Sequence, residues 1–319
     1  MTGTTSLTTS IQPPPPQEEH RLRRQQKATV VTRHHILQAL ASLNLEETPE
    51  KGQAAKLLAP LVDHSYLPSV ATMQAQWAEQ PQAVARFCHE ALYYHFFGVC
   101  LRPEWVAPAR HWLSQQPQGS TLPLSTVIGF PNGPMPQTTA LSDSGIGTTP
   151  LPEIQEQIRQ ALADGADELD WVFPLHAWKQ QDRYSVEEAL HGSLQSLQGE
   201  TASFKIIIET TLLHDAELRE IVSFLGKQLE THASIDRVYQ IKTCTGMVSG
   251  TEKPGATPAD VRQIRDTLDE QGLSHIQIKA SGGIHSLEQA VALVLAGADR
   301  LGSSGAMQWL VPFLEQPAH

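Results

Sequence analysis

The sequence predicts an α/β fold, a (β/α)8 (TIM) barrel with an N-terminal helical extension. Short apolar runs alternate with longer amphipathic stretches at a repeat of about 35 residues, which is typical of a parallel sheet covered by helices. Eight such units can be counted, and the 319 residues of the chain accommodate a closed barrel, which commonly needs about 250. An open, doubly wound sheet is the alternative.

Each candidate strand is a short apolar run. The eight strands are Leu61–Tyr66, Phe97–Leu101, Leu124–Gly129, Glu168–Phe173, Phe204–Thr210, Val238–Thr243, Ile276–Ala280 and Arg300–Gly302. The stretches between them, such as IQEQIRQALADGAD and SLEQAVALVLAGAD, have helical periodicity and a glycine that suits a helix C-terminus. No GxGxxG motif follows the first strand and no GxxxxGK[ST] motif occurs, which opposes dinucleotide and Walker-type nucleotide binding.

Three segments are expected along the chain. Residues 1–28 contain four consecutive prolines and lack the apolar stretch of a secretory signal, so they are expected to form a disordered tail. A ligand for an SH3-type domain is the alternative use of the proline run. Residues 29–58 are expected to form the helical extension, with a helix from Thr32 to Leu43, and residues 59–319 the barrel.

Composition limits the partners of the protein. Acidic residues outnumber basic ones by 34 to 23, and the resulting net charge of −11 does not favour nucleic acid or an anionic membrane. Any anion site must therefore be local, built from backbone N–H groups and helix N-termini. The three cysteines show no CxxC spacing, which opposes a disulfide framework and structural zinc and indicates a reducing, cytoplasmic location. No apolar run approaches the roughly 20 residues of a membrane span.

Two lysines near the ends of the sixth and seventh strands are the most informative residues. Lys242 lies in VYQIKTCTG and Lys279 in HIQIKASGG. Side chains alternate across a strand, so each lysine shares its face with a glutamine, Gln240 or Gln277, while isoleucines occupy the opposite face. A lysine among apolar strand residues is costly unless its amine has a partner or a reaction to perform. Taken singly, each could be a solvated or edge-strand lysine.

Other polar residues fall at the carboxyl ends of predicted strands, where barrel enzymes collect their catalytic groups. They are Asp63 in LVDHSYL, Cys100 in FGVCLRP, Asp170 in DELDWVFP and Glu209 in KIIIETT. Asp170 shares a strand face with Glu168 and Val172 and is expected to point into the barrel. A buried ion network that only stabilises the fold is the alternative, but such clusters gather at functional sites.

The paired lysines indicate a specific kind of chemistry. Two neighbouring amines repel each other's protons, so one of them becomes a nucleophile near neutral pH. A nucleophilic lysine attacks a carbonyl and forms a Schiff base, which acts as an electron sink when a neighbouring carbon–carbon bond breaks. Asp170, the second lysine and a bound water are candidates for the acid and base steps.

Segments along the predicted barrel carry a family resemblance. In chain order they are VDHSYL, VCLRPEWV, STVIGFPNG, DGADELDWVFP, FKIIIET, IKTCTG, KASGGI and RLGSSG. Together they resemble the deoxyribose-phosphate aldolase family over roughly residues 60 to 312. The resemblance implies a class I aldolase, which uses neither a metal nor another cofactor. Its implied reaction is the reversible cleavage of 2-deoxy-D-ribose 5-phosphate to D-glyceraldehyde 3-phosphate and acetaldehyde.

The resemblance also implies roles for individual residues. Lys242 would form the Schiff base, and Lys279 would perturb its proton affinity and join the proton relay. Asp170 would be the relay carboxylate, and Asp63 would orient the second lysine. Cys100 matches a cysteine near the substrate, although a small apolar filler is the favoured interpretation.

A phosphate site is implied at the glycine-rich turns, where backbone N–H groups bind anions. Its expected residues are Gly246, Gly282, Gly283, Gly302, Ser303 and Ser304. The chain departs from the family pattern at Met247, His285 and Gly305, where polar groups are common, while Lys253 in the segment VSGTEKPGA could return a cation. Losing charge-assisted contacts of about 1.5 to 3 kcal/mol each would relax selectivity for the phosphate.

Two other functions remain open from the sequence. One is a lysine-dependent aldolase of a related, less phosphate-dependent aldehyde; the other is a non-catalytic barrel that acts as a scaffold. The expected partners are small phosphorylated sugars and aldehydes, with a homodimer or homotetramer as the assembly implied by the resemblance.

Overall fold

The computed structural model of the chain describes five stretches of it. They are residues 33–75, 79–133, 135–136, 146–234 and 237–315. The expected tail, residues 1–28, lies outside the described residues, as do the first four residues of the expected extension.

Eight parallel strands close into a barrel in which sequence neighbours pair and the last strand pairs with the first. They are β1 Val62–Tyr66, β2 Gly98–Leu101, β3 Leu124–Ile128, β4 Glu168–Val172, β5 Ser203–Ile207, β6 Tyr239–Lys242, β7 Gln277–Ser281 and β8 Arg300–Ser303. Closure confirms the predicted fold class and excludes the open sheet. The predicted bounds differ from these by one residue at most, except where the fifth strand ends.

Helices surround the barrel and precede its first strand. They are α1 33–42, α2 Thr48–Leu58, α3 Val70–Ala75, α4 Gln80–Tyr93, α5 Val106–Ser114, α6 Leu151–Ala163, α7 Leu175–Lys179, α8 Arg183–Gln195, α9 Asp215–His232, α10 Pro258–Glu270, α11 Leu287–Ala296, α12 Ala306–Trp309 and α13 Val311–Leu314. Helix α2 packs against α11 and α13. Within the described residues, no helix has both the length and the apolar character needed to cross a membrane.

Helix α6 illustrates how the amphipathic stretches fold. Ile154, Ile158 and Ala161 share one face and are buried, whereas Glu153 in the first turn is exposed. Burying each isoleucine stabilises the fold by roughly 1.5–3 kcal/mol. Gly165 follows the helix with a φ of 94°, a conformation that favours glycine and ends the helix.

The fifth strand is shorter than predicted. The sequence predicts a strand through Thr210, but β5 ends at Ile207. Glu209 adopts a left-handed backbone conformation, with φ 54° and ψ 65°, and residues 210–212 then form a 3-10 turn. The prediction was wrong here because the apolar run continues past the point at which the backbone turns.

The barrel wall separates an apolar layer from a polar interior. Leu169 and Trp171 of β4 belong to the main hydrophobic core between strands and helices, whereas Glu168 and Asp170 point inward to a lysine. At the carboxyl end of the barrel, Met135–Pro136 after β3 and Val248–Ser249 after β6 pair as a parallel two-stranded ribbon. This end therefore carries both the strand-end polar residues and the loops that surround them.

Candidate active site

The barrel encloses a group of charged side chains, here called the interior charge cluster. Its members are three carboxylates and four cations: Asp63, Glu168, Asp170, Lys205, Lys242, Lys279 and Arg300. None of them is more than 6% exposed. Charges this deeply buried need direct partners, and every member of the cluster has at least one.

Lys242 and Lys279 meet at a single carboxylate. Lys242 ends β6 and pairs in register with Lys279 of β7. Both amines contact Oδ2 of Asp170, the Nζ of Lys242 at 2.8 Å and the Nζ of Lys279 at 2.9 Å. Lys242, Lys279 and Asp170, which strand alternation singled out in the sequence, thus form one hydrogen-bonded group.

Asp63 links Lys279 to the wall of the barrel. Its Oδ2 lies 2.6 Å from the Nζ of Lys279, and its Oδ1 lies 2.8 Å from Nη1 of Arg300. The Arg300 guanidinium also approaches Glu168 Oε2, at 3.7 Å, and stacks over the Phe97 ring. Asp63 is therefore held from one side and can orient Lys279 from the other.

Sequence reasoning missed Lys205, which contacts two carboxylates. Its Nζ lies 2.7 Å from Oδ1 of Asp170 and 2.7 Å from Oε2 of Glu168, and it donates to Ser125 Oγ at 3.1 Å. The signal was present in FKIIIET, where alternation puts Lys205 on the inward face of the strand. However, the residue lies in mid-strand, away from the carboxyl end at which catalytic groups are expected.

The arrangement determines which groups stay charged. Burial raises the pKa of Asp170, but the charges of Lys205, Lys242 and Lys279 outweigh burial and hold that pKa well below its usual value. Burial lowers the pKa of Lys279, but the carboxylates of Asp170 and Asp63 outweigh it and raise that pKa above its usual value. Asp170 is therefore a carboxylate and Lys279 an ammonium at neutral pH.

Lys242 is the lysine of the cluster with the fewest carboxylate partners. It contacts one carboxylate, whereas Lys205 and Lys279 each contact two. With four cations and three carboxylates, the cluster has one net positive charge when every group is ionised. Of the three lysines, Lys242 has the fewest carboxylate contacts to lose on bonding to a substrate.

Cys100 lies beside this point on β2. Its Sγ is 3.8 Å from Oδ2 of Asp170. Burial, reinforced by the charge of Asp170, raises the pKa of the thiol to about 11. A thiol that stays protonated at neutral pH is a weak nucleophile, and the structure gives Cys100 the environment of a small buried filler.

The turns after β6 and β7 touch each other and require glycine. Gly246 and Gly282 have φ values of 77° and 88°, and a Cβ added to Gly282 would lie 3.5 Å from the Cα of Gly246. At Gly283, with φ 70°, a Cβ would lie 2.6 Å from the carbonyl oxygen of Pro254. Backbone turns of this kind form concavities that bind anions.

Two other positions expected at the phosphate site have different surroundings. Gly302 lies next to Lys279, and a Cβ there would lie 2.9 Å from the Cε of that lysine, so the glycine makes room for it. Ser303 uses its Oγ as an acceptor for Nε1 of Trp309 at 3.0 Å and for a backbone N–H two residues on. Ser304 is exposed.

The side chains that replace the usual polar groups bring no cation to these turns. Met247 is half-buried and His285 is exposed. Lys253 donates from its Nζ to Oδ1 of Asp260 at 2.7 Å and to the carbonyl of Leu213 at 3.1 Å. The sequence suggested that Lys253 could supply a cation to these turns. In the structure its amine is instead bound to Asp260, near the start of α10.

One side of the mouth is apolar. Ile146, Val172 and Ile207 form a small buried cluster separate from the main core, and Met135 and Val248 of the ribbon pack against it. Ile207 pairs in register with Lys242. Lys242 thus has an apolar neighbour, Ile207, on β5, and the turn that contains Gly246 follows it on its own strand.

In the part of the chain that the structure describes, no group of three or more histidine, cysteine, aspartate or glutamate side chains has the geometry to hold a metal ion. The chemistry available to the arrangement is amine addition to a carbonyl, with a carboxylate and an ammonium at hand for proton transfer.

Known proteins resemble the chain over most of its length, although no model of a protein family matches it. A deoxyribose-phosphate aldolase of Enterococcus faecalis is 34% identical over 245 residues, which cover 76% of this chain and 91% of that protein. One from Thermococcus gammatolerans is 32% identical over 251 residues, covering 79% and 94%.

A solved structure supports the same relationship. The deoxyribose phosphate aldolase from Aeropyrum pernix, described as a unique tetrameric structure, superposes with a TM-score of 0.62 at 25% identity, covering 85% of this chain and 99% of that one. Agreement in sequence, closed barrel topology and extent confirms the resemblance carried by the strand-end motifs. The chain belongs to the deoxyribose-phosphate aldolase family.

Proposed function

We propose that the protein is a class I aldolase that reversibly cleaves 2-deoxy-D-ribose 5-phosphate to D-glyceraldehyde 3-phosphate and acetaldehyde, with Lys242 as the Schiff-base residue. The observation that carries the proposal is the shared contact of Lys242 and Lys279 with one oxygen of Asp170. The amine of Lys242, which has a single carboxylate partner, thus lies beside an ammonium, Lys279, and a carboxylate, Asp170. These are the groups that imine formation requires.

The first stage joins the substrate to the enzyme. The neutral Nζ of Lys242 attacks C1 of the open-chain sugar; the carbonyl oxygen takes a proton and the nitrogen loses one, giving a carbinolamine. Loss of the C1 hydroxyl as water, after a second proton is delivered to it, leaves a protonated imine. Lys279, an ammonium 2.9 Å from the carboxylate oxygen that Lys242 also contacts, supplies a proton donor beside the amine.

The second stage breaks the bond between C2 and C3. A base removes the proton of the C3 hydroxyl, C3 becomes the aldehyde carbon of glyceraldehyde 3-phosphate, and the electron pair of the bond moves to C2 to form an enamine with the lysine nitrogen. C2 then takes a proton, and water hydrolyses the resulting imine to release acetaldehyde and the free amine. Asp170, charged and hydrogen-bonded to both amines, supports the proton transfers through bound water.

The apolar wall beside Lys242 supports the same chemistry. Ile207, which pairs in register with Lys242, is buried with Val172 in this apolar cluster. An apolar surface there restricts water at the enamine carbon and suits the two-carbon fragment that remains on the lysine. The polar part of the sugar then extends toward Gly246 and Gly283.

Turnover is the direct test of this function. Purified protein is incubated with 2-deoxyribose 5-phosphate, and acetaldehyde and glyceraldehyde 3-phosphate are measured by coupled reduction with separate dehydrogenases. We expect both products in equal amounts, and none from Lys242→Arg. Equal production by the two proteins would contradict the assignment, and no production by either would reject the substrate.

A second candidate is an aldolase that depends less on the phosphate. The position of Lys253 favours it, since its amine binds Asp260 and not the glycine turns, and Met247 adds no charge there. We expect 2-deoxyribose 5-phosphate to be accepted. Its kcat/KM should exceed that of 2-deoxyribose by a smaller factor than if charged side chains, as well as backbone N–H groups, bound the phosphate. A preference of several orders of magnitude in kcat/KM would rule this candidate out.

A scaffold function has less support. Buried charges are costly to keep, and the interior charge cluster retains all the groups that the reaction needs. Failure of acetaldehyde to form an adduct with the protein would favour the scaffold.

We further propose a homodimer or homotetramer that works in the cytoplasm. The support is the tetramer described for the Aeropyrum pernix enzyme, together with three buried, unpaired cysteines, which suit a reducing compartment. Light scattering on the purified protein measures the assembly, and a monomer at micromolar concentration would contradict it.

A further inference from the structure

Glu209 is a buried carboxylate outside the interior charge cluster. It follows β5, is 1% exposed, and has a left-handed backbone with φ 54°. No lysine or arginine of the described residues forms an ion pair with it; its partners are hydrogen-bond donors. A buried acidic residue with a strained backbone keeps that conformation only where the surrounding structure holds it there.

The partners of Glu209 lie on two different segments. Oε2 accepts hydrogen bonds from the backbone N–H of Thr245 at 2.9 Å and from its Oγ1 at 2.5 Å. Oε1 accepts from Oγ1 of Thr211, at 2.7 Å, within the local turn. Oε2 therefore fixes the loop after β6, whereas Oε1 bonds only within the local turn that contains Glu209.

Thr245 connects Glu209 to the turn at Gly246. Its Oγ1 accepts the backbone N–H of Met247 at 3.1 Å, so the backbone on both sides of Gly246 is fixed. On the opposite flank, the Oγ of Ser281 donates to the carbonyl of Cys244 at 2.6 Å. The loop that begins just after Lys242 is thus fastened to β5 by Glu209 and to β7 by Ser281.

We propose that Glu209, acting through Thr245, is a positioning residue that holds the Gly246 turn in the shape that binds the phosphate of the substrate. The inference rests on the proposed function, since it deepens the same site. In the structure Thr245 shapes the turn, and Glu209 holds Thr245. Because the turn's backbone alone presents donors to the anion, its shape controls affinity for the phosphorylated substrate more than the lysine chemistry.

The test compares three variants on two substrates. Thr245→Val keeps the shape of the side chain but removes both hydrogen bonds of Oγ1; Thr245→Ser keeps the hydroxyl; Thr211→Val removes the hydrogen bond to the other oxygen of Glu209. For each, kcat and KM are measured with 2-deoxyribose 5-phosphate and with 2-deoxyribose, and circular dichroism checks the fold.

For Thr245→Val we expect the preference in kcat/KM for the phosphorylated substrate to fall about tenfold, the size of effect that hydrogen bonds to a charged group produce. The fall should lie in KM, with kcat for 2-deoxyribose unchanged within about twofold. Thr245→Ser should restore the preference, and Thr211→Val should leave it as in the wild type.

The outcomes separate this inference from the proposed function. If acetaldehyde and borohydride label Lys242 in the wild type but Thr245→Val keeps the wild-type preference, or loses activity equally on both substrates, the positioning role is overturned while the aldolase function stands. The positioning role is likewise overturned if Thr211→Val lowers the preference as much as Thr245→Val. If the wild type forms no adduct, both the function and the inference fall.

Discussion

Replacing Lys279 by leucine should move the acid limb of the rate profile to higher pH. In the wild type, the ammonium of Lys279 opposes a proton on Lys242, because both amines contact the same oxygen of Asp170. Leucine removes that charge and also leaves Asp170 with one partner fewer. Both changes let Lys242 hold its proton more tightly, so less of the enzyme has a nucleophilic amine at a given pH.

The geometry gives the size of this shift. Two nitrogens that each hydrogen-bond one oxygen lie within roughly 6 Å of each other. At that separation and an effective dielectric constant of about 20, two unit charges repel by about 3 kcal/mol, which equals about 2 pH units. The acid limb of kcat/KM should therefore move upward by about 2 units.

The assay is kcat/KM for 2-deoxyribose 5-phosphate measured between pH 5 and about 10, the range in which shifted lysines titrate. Lys279→Arg is the matched control: it keeps the charge, so its acid limb should stay near that of the wild type, although its turnover falls because guanidinium holds its proton. An acid limb that is unmoved in Lys279→Leu would refute the electrostatic role of Lys279.

Further predictions concern the other members of the interior charge cluster. Lys242→Arg should abolish turnover because a guanidinium does not add to a carbonyl, and activity above background would contradict this. Asp170→Asn should keep the fold and slow turnover by about 10² to 10⁴, as measured by kcat together with circular dichroism. The pKa of Asp170 is lower in the folded protein, so its carboxylate stabilises the fold above about pH 4 and this stability is lost as the pH falls through the folded value. The free energy of unfolding of Asp170→Asn should therefore depend less on pH in the acid range; an equally steep dependence would contradict the assignment. Lys205→Met removes one cation partner from each of two buried carboxylates, Glu168 and Asp170, and should lower the free energy of unfolding by about 3–5 kcal/mol in urea, whereas Lys227→Met, at an exposed position, should change it by less than about 0.5 kcal/mol.

Strand alternation was enough to place the lysines. Once the sequence predicts parallel strands, their carboxyl ends must meet at one end of the barrel, and parity decides which side chains point inward. This is why Asp63, Asp170, Lys242 and Lys279 could be expected in one place.

Alternation does not fix the height of a residue inside the barrel. Lys205 and Arg300 face inward too, but whether they reach the strand-end carboxylates depends on strand tilt and register, which are set by closure. In the closed barrel Lys205 pairs in register with Asp170, and Arg300 with Lys279, so their side chains join the same cluster. Neither pairing can be read from one strand.

The phosphate turns were harder to predict for a similar reason. β8 continues one residue further than expected, through Ser303, whose hydroxyl is bound to Trp309, and Gly302 lies beside Lys279. The left-handed backbone of Glu209 also had no local signal, because a glutamate adopts it only when contacts such as those with Thr245 hold it there.

Lys242 is proposed as the residue that bonds covalently to the substrate. Incubation with acetaldehyde and borohydride, followed by proteolysis and mass spectrometry, measures it directly, because reduction fixes an imine as a stable ethyl group on the amine. We expect the ethyl group on Lys242, with Lys205 and Lys279 unlabelled and no label in Lys242→Arg. A label on Lys279 in the wild type, or none on any lysine of the cluster, would contradict the assignment of Lys242 as the Schiff-base residue.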